Sequence, residues 1–214
     1  MSRNYSSFYK KLNSMNHKDY IENLLIFNTS LVIADTKPSV TINIMKNDDY
    51  KKWLDYGRAF IINIGLGYIE LRETKSSVIL LIYNKKLLSK SIFQENSKNF
   101  LMKLGYPDNT DIDDWLKKLK DRYDVYHCPH ELGVFLGFPI EDVQDFINCS
   151  NKKCLLCGYW KVYNNLNIAK EIFNKYDAVK NITIKHLNEE VTNTCEIVNN
   201  IRSLRSIDKV NYNS

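Results

Sequence analysis

The sequence lacks a long hydrophobic run, and this absence argues against a protein that spans a membrane. No apolar stretch reaches the roughly 18 residues that a transmembrane helix requires. The first 20 residues alternate polar and apolar side chains and contain no hydrophobic segment of the kind found in secretory signals. We therefore predict a cytoplasmic protein without a membrane partner.

A basic stripe is missing as well. The chain carries 30 Lys and Arg against 25 Asp and Glu, a net charge of +5, and the two signs are interleaved along almost its whole length. Nucleic-acid binding is therefore not expected, because phosphate backbones are bound by clustered cations. With 44% hydrophobic and 26% charged residues, the composition is that of an ordinary globular protein.

Cysteine is scarce outside one segment. Four of the five cysteines and two of the four histidines lie within residues 126–163. An odd number of cysteines in a chain without an export signal favours free thiols or metal ligands over a disulfide framework. We therefore place the candidate functional region in this segment.

Hydrophobic periodicity predicts several helices and one small sheet. Alternating apolar residues predict a strand around residues 40–44, and the apolar runs 68–73 and 78–83, joined by a short polar connection, predict an antiparallel hairpin. Apolar residues at helical spacing predict helices over 6–34 with a break near His17, 48–64, 85–104, from Asp111 to at least Tyr123, 129–137, 139–148, 166–176 and within 178–205.

Together these elements predict an α+β fold in which a small, mainly antiparallel sheet is covered by helices. We predict a single α+β domain over residues 1–180 and a helical extension with a frayed C-terminus over residues 181–214. Leu187, Val191, Cys195 and Val198 share one stripe of this extension. The C-terminal helix is therefore a candidate surface for a protein partner or for self-association.

Three motifs resemble those of a known family. They read PHELGVFLGFP from Pro129, IEDVQDFI from Ile140 and GYWKVY from Gly158. In these motifs the chain resembles an uncharacterised bacterial family catalogued as domain of unknown function 3793. The resemblance implies kinship over about residues 20–180, and it implies no activity.

A weaker match to the same family lies nearer the N-terminus. Ala34, Lys37 and Pro38 agree with a motif in which many members have His-Cys several residues earlier. This chain has Asn28 and Thr29 at those two positions. Any role of the His-Cys pair is therefore not expected to carry over.

The cysteines favour zinc or iron as candidate metals. Cys154 and Cys157, spaced by two residues, form half of a tetrahedral site, and Cys128 with His127, His130 or Cys149 could complete it. An iron–sulfur cluster that also uses Cys195 is disfavoured, because the loop residues are bulky and Cys195 is predicted to lie on an apolar helical stripe. A redox role is disfavoured because no helix follows Cys154. Thiols without any ligand are the alternative.

The His130–Glu131 pair is a candidate catalytic site. Pro129 is predicted to open a short helix, and a helix N-terminus disfavours the imidazolium form of His130, which then acts as a base or ligand. Cys128 is the candidate nucleophile. Glu131 lies about 100° around the helix from His130, so the alternative is that these residues only start the helix.

Residues 158–163 are predicted to form a strand with two different faces. Trp160 is expected in the core, whereas Tyr159, Lys161 and Tyr163 share the other face. That second face is either a ligand platform or plain surface.

We carry two functional hypotheses from the sequence. The first is a non-enzymatic module that binds a ligand, a metal or a partner through residues 127–163. The second is a thiol- or metal-dependent enzyme that uses His130, Glu131 and a nearby cysteine. The first is preferred, because no set of groups shows the spacing of a known reaction.

Overall fold

The sheet lies at the centre of the molecule. A computed structural model describes residues 3–148, 151–189 and 193–206. Its main sheet has three antiparallel strands in the order β1-β3-β2, and the strands are β1 Ser39–Met45, β2 Gly67–Glu73 and β3 Ser77–Tyr83. The predicted hairpin is confirmed as β2 and β3, and the α+β fold is confirmed.

Helices cover both faces of this sheet. The first group consists of α1 Arg3–Leu12, α2 His17–Ile33, α3 Asp48–Lys52, the π-helical turn Trp53–Gly57 and α4 Arg58–Asn63. The second group consists of α5 Lys85–Ile92, α6 Glu95–Lys103, α7 Ile112–Tyr126, α8 Leu132–Phe135 and α9 Ile140–Ile147. The chain then forms a small hairpin, β4 Leu156–Cys157 and β5 Lys161–Val162, followed by α10 Leu166–Asn188, α11 Thr194–Ser203 and the 3-10 turn Leu204–Ser206.

Two hydrophobic cores lie on the two faces of the sheet, and β3 belongs to both. Val78, Leu80 and Ile82 point into the first core, and Leu81 and Tyr83 point into the second. Successive side chains of a strand face opposite sides. A strand buried on both sides is therefore expected to carry a continuous apolar run, and β3 has one from Val78 to Ile82 in its sequence SVILLIY.

The helical group after β3 makes the second core. In α7, five apolar residues stand at i, i+3, i+4, i+7 and i+11, a spacing that predicts one apolar stripe. This stripe is confirmed, because all five are buried: Ile112, Trp115, Leu116, Leu119 and Tyr123. The predicted cap of this helix is also confirmed, since the Asp111 side chain accepts a hydrogen bond from the Asp113 N–H. This core supports α8 and α9, which carry much of the candidate site.

Some local predictions were wrong. The sequence predicts that Asp48 caps the helix over 48–64 and that Tyr56 lies on its buried side. Asn47 is the cap instead, and in the π-helical turn Tyr56 is 40% exposed. The helix predicted over 85–104 is interrupted between Ile92 and Glu95. Cys195 was expected on an apolar stripe, but it is exposed, because α11 turns Ile197, Val198 and Ile201 inward. Val191 lies outside the described residues.

The C-terminal helices pack on the rest of the chain. Helix α10 runs through residue 180 without a break, and both α10 and α11 contact α2. The Lys11 ammonium donates a hydrogen bond to the Leu187 carbonyl, and Arg205 pairs with Asp35 at 2.9 Å. The predicted division at residue 180 and self-association through this region stay predictions, and residues 207–214 lie outside the described part.

The helices do not include a candidate membrane span. Within the described ranges, no helix combines the length and the apolar character that crossing a bilayer requires.

Candidate functional site

The candidate site is a cleft between α8, α9 and the β4–β5 hairpin, here called the aromatic cleft. Its volume is about 390 Å³, within the range of small-molecule sites. The walls are mainly apolar, and they are formed by Pro129, Leu132, Gly133, Leu136, Phe138, Val143, Phe146 and Trp160. Four residues bring polar groups to it: Cys128, His130, Asp142 and Lys161. The cleft therefore offers a large apolar surface with a few groups that can orient a ligand.

Trp160 and Phe138 form a stacked aromatic pair in the wall of the cleft. Their rings stack with centroids 5.4 Å apart, and Trp160 packs edge-on against Phe173 of α10 at 4.5 Å. Trp160 is buried, so its predicted place in the core is confirmed. Offset and edge-on aromatic pairs of this kind are favourable beyond their buried area. They fix the cleft wall before any ligand arrives.

Asp142 holds the hairpin against α9. One carboxylate oxygen accepts a hydrogen bond from the Trp160 indole N–H at 2.7 Å. The other accepts from the backbone N–H groups of Tyr163 and Asn164, at 2.9 and 2.8 Å, and from the Asn164 side-chain amide. The position of Asp142 in the first turn of a helix predicts only a favourable interaction with the helix dipole. Sequence reasoning missed these contacts, because their partners lie 18 or more positions later.

Two glycines permit the close packing around the cleft. A Cβ on Gly133 would lie 2.8 Å from a Val143 methyl, and a Cβ on Gly158 would lie 2.3 Å from the Phe173 ring. Real Cβ atoms do not approach other atoms so closely. Glycine at these positions therefore lets α8 approach α9 and lets the hairpin approach α10.

Cys128 and His130 both line the aromatic cleft. Each residue is exposed, and the His130 ring lies 5.0 Å from the Phe146 ring, edge to face. The predicted helix at Pro129 was wrong at its start, because residues 129–133 form a turn with hydrogen bonds from Leu132 N–H to Pro129 and from Gly133 N–H to His130. Helix α8 begins only at Leu132, so His130 precedes its first turn.

Glu131 lies in a different environment from the adjacent His130. It is 3% exposed, accepts a hydrogen bond from the Arg122 guanidinium, and accepts a second from the Tyr106 hydroxyl at 3.3 Å. The hydrogen bond with Glu131 raises the pKa of Arg122, and burial raises the pKa of Tyr106. Glu131 does not line the cleft. The structure therefore brings Cys128 and His130 together but separates Glu131 from them, and a joint catalytic role stays a prediction.

The residues predicted to bind metal are placed only in part. The Cys154 thiol is half-buried and donates to the Leu156 carbonyl at 3.1 Å, Cys157 is exposed on β4, and His127 is exposed. Cys149 lies outside the described residues. Across the part of the chain that is described, no three His, Cys, Asp or Glu side chains lie close enough to hold a metal ion. A zinc or iron site that includes Cys149 stays a prediction.

The predicted platform of Tyr159, Lys161 and Tyr163 divides between two places. Lys161 lines the aromatic cleft, and its Nζ lies 5.2 Å above the Phe146 ring. The Tyr159 hydroxyl instead donates to Asp177 on α10 at 2.7 Å, while burial raises the pKa of Tyr159. Tyr163 contributes its backbone N–H to Asp142. The ordered strand is shorter than predicted, because only residues 161 and 162 pair with β4.

Asn28 and Thr29 occupy the positions where many members of the family have His-Cys, and they lie away from the aromatic cleft. Asn28 and Thr29 are in α2, where their side chains donate to the carbonyls of Leu24 and Leu25. Neither residue lines the aromatic cleft. They act here within the helix, through ordinary hydrogen bonds to the preceding turn.

Comparison with known proteins identifies the family and nothing narrower. No curated protein and no solved structure matches the chain. The sequence model of one family, described as "Protein of unknown function (DUF3793)", matches residues 25–197, a span that includes the whole aromatic cleft. The chain therefore belongs to the DUF3793 family.

Proposed function

We propose that this protein binds a small, mainly apolar organic acid in the aromatic cleft. The observation that carries the proposal is a preformed cleft of about 390 Å³ with aromatic walls and one unpaired ammonium group. Such clefts, with few convergent polar groups, are the usual form of small-molecule sites. The ligand class follows from the walls and from the charges, taken in turn.

The walls favour an aromatic or otherwise flat apolar body. Phe138, Phe146 and Trp160 all line the cleft, and Phe146 is 37% exposed. Burying such surface against a ligand contributes about 25 cal/mol per Å². A well-placed aromatic pair adds about 0.5–1.5 kcal/mol. An apolar ligand therefore gains most of its affinity from this wall.

The charges favour an acidic group on the ligand. Among the described residues, no carboxylate pairs with Lys161, although the side chain lines the cleft. Asp142 does line it, but both of its oxygens already accept hydrogen bonds. The His130 imidazole adds a second hydrogen-bonding group to the cleft. A carboxylate on the ligand would thus meet a cation without displacing an internal ion pair.

Calorimetric titration with a matched pair of ligands tests this proposal. The pair is naphthylacetate and the neutral naphthylacetamide, which share the aromatic body and differ in charge. We expect the acid to bind and the amide to bind about tenfold more weakly, a difference of about 1.4 kcal/mol. The Lys161→Met variant should remove this difference, because it removes the cation and retains the apolar stem.

Two controls make the result decisive. Lys153→Met removes an exposed lysine of the same segment that does not line the cleft, so it should behave as wild type. Phe146→Ala should weaken both ligands. Equal binding of acid and amide would remove the charge argument. Failure of both ligands to bind, or equal binding by wild type and Phe146→Ala, would overturn the proposal itself.

A thiol-dependent enzyme is the second candidate, because Cys128 and His130 line the same cleft. This reading requires a reactive thiolate. It predicts that Cys128 is alkylated at neutral pH faster than a free cysteine peptide, and that His130→Ala slows the reaction. An unaccelerated rate would leave binding as the function of the cleft.

A further inference from the structure

A second cleft lies on the other side of Phe138, and we call it the polar cleft. Its volume is about 550 Å³, and it is bounded by the loop after α2 and by the starts of α6 and α9. Phe138 lines both clefts. Apart from Phe138, no residue that lines the polar cleft takes part in the ligand proposal for the aromatic cleft. The polar cleft is therefore a separate site.

Lys37 is the unusual residue of the polar cleft. It is only 7% exposed, and within the described residues no hydrogen bond or ion pair engages its ammonium group. The Nζ lies 5.0 Å from the centre of the Phe138 ring. Burial, followed by repulsion from Lys180 on α10, lowers the pKa of Lys37 to about 8. A buried cation without an opposite charge is costly, so the free protein leaves a charge here that an anion would balance.

Two helix N-termini open onto the same cleft, and neither is capped by a side chain. Helix α6 begins after Gln94 and α9 begins after Pro139, and no side chain accepts a hydrogen bond from the first turn of either helix. Asn or Asp side chains cap the first turns of α2, α3, α5, α7 and α11, whereas α4, α8 and α10 are uncapped like α6 and α9. Unused N–H groups and the helix dipole both favour an anion at such a position.

The acidic residues around the cleft do not fill this role. Asp35 is already paired with Arg205 and accepts a hydrogen bond from the Asn84 amide. Glu95 and Glu141 line the cleft but are exposed, and so is Lys90 on the opposite rim. Solvent screens these exposed charges, whereas the buried charge of Lys37 is screened much less.

We propose that the polar cleft binds an oxyanion, a phosphate or carboxylate group carried by a small molecule, between Lys37 and the first turns of α6 and α9. The anion balances the ammonium group and accepts hydrogen bonds from the backbone of both helices. This site is independent of the aromatic cleft, and it can be occupied while that cleft is empty.

Isothermal titration of the full chain with inorganic phosphate, and separately with acetate, tests the proposal at pH 7 and constant ionic strength. We expect saturable binding of at least one anion, and the preferred anion identifies the source of the negative group. Lys37→Met should weaken binding tenfold or more. Lys86→Met is the matched control, because Lys86 is an exposed lysine on α5 that lines neither cleft.

A pH series on the wild-type protein gives a second readout that needs no variant. Binding should weaken as the pH rises above about 8, because Lys37 then loses its proton. Phosphate itself becomes more negative over that range, so a loss of binding cannot come from the ligand. The proposal would be overturned if the wild-type protein bound neither anion. It would also be overturned if phosphate binding were unchanged both in Lys37→Met and at high pH. Naphthylacetate binding is unaffected by either result.

Discussion

The aromatic cleft and the polar cleft share the Phe138 wall and differ in how they treat charge. In the aromatic cleft the buried ionisable residue, Asp142, has hydrogen bonds to both oxygens, and the unpaired cation, Lys161, is exposed. In the polar cleft the unpaired cation, Lys37, is itself buried. Buried polar groups in folded proteins are almost always satisfied. Under the proposal above, an anion completes the site at Lys37, whereas the hydrogen-bonded Asp142 holds the wall of the aromatic cleft.

Glu131 is a second buried carboxylate that, like Asp142 and unlike the ammonium group of Lys37, has partners within the protein. It is as buried as Asp142, and the Arg122 guanidinium and the Tyr106 hydroxyl satisfy it. Each buried carboxylate thus joins two elements of the fold. Glu131 joins the start of α8 to α7, and Asp142 joins α9 to the residues that follow β5. Their role in the fold is positioning: Asp142 accepts hydrogen bonds at both oxygens, and Glu131 accepts both of its hydrogen bonds at Oε1.

The largest effect is expected from removing the anchor of the aromatic cleft. Asp142→Ala leaves the buried Trp160 indole N–H and the Tyr163 and Asn164 N–H groups without their acceptor, at about 1–3 kcal/mol for each unsatisfied group. We expect the free energy of unfolding to fall by about 3–5 kcal/mol, as for other broken buried networks. Urea denaturation measures this change.

Glu141→Ala is the control for that experiment. Glu141 is the exposed neighbour in the same first turn of α9, and its removal should cost less than about 1 kcal/mol. If the two variants unfold at the same urea concentration, Asp142 does not hold the hairpin, and the wall of the cleft has another origin.

The sequence predicted the elements whose signals are local. The stripe of α7 and the apolar run of β3 follow from spacing within a few residues, and both were predicted correctly. The clefts depend on contacts that no local pattern encodes. Lys37 stands in a loop before a proline, where lysine is ordinarily exposed, and its burial arises because Phe138, 101 positions later, packs over it.

The same limit explains the mixed outcome for the site residues. Tyr159 and Lys161 alternate correctly for a strand, but Tyr159 turns toward Asp177, a residue on another helix. Glu131 was considered as a partner of His130, yet its partner lies in α7. Adjacent residues were predicted to act together, and the tertiary structure assigned them to different neighbours.

A substitution in the polar cleft is expected to change the free energy of unfolding less than Asp142→Ala does, and to raise it rather than lower it. Lys37→Met removes a buried, unpaired charge, so we expect this variant to be more stable than wild type at pH 7. Lowering the pKa from 10.5 to about 8 corresponds to an upper bound of about 3.4 kcal/mol. The charged, costly form of Lys37 predominates in the folded protein at pH 7, and it is lost as the pH rises through about 8. Wild-type stability should therefore rise relative to the variant between pH 8 and 10.5, as the folded protein releases a proton that the unfolded chain still holds.

Urea midpoints for both proteins between pH 7 and pH 10.5 check this prediction. The difference between wild type and Lys37→Met should shrink toward zero at the upper end. Lys86→Met, which removes an exposed charge, should show no such trend. A Lys37→Met protein that is less stable than wild type at pH 7 would mean that the cation stabilises the free protein, and the buried charge would then need no anion.

The smallest effect tests whether the shared wall really separates two sites. Phe138→Leu keeps an apolar side chain but removes the ring that stacks on Trp160 and lies beside the Lys37 ammonium. Phe138 lines the aromatic cleft, and an aromatic contact between its ring and the ligand is worth about 0.5–1.5 kcal/mol, so naphthylacetate affinity should fall by about two- to twelvefold. Phosphate affinity should stay unchanged, because the anion interacts with Lys37 and with helix N–H groups rather than with the ring. Calorimetric titration of both probes on this one variant measures the two effects together. Equal losses for the two ligands would show that the Phe138 ring contributes to both sites, because it lines both clefts, and the two clefts would then not be independent.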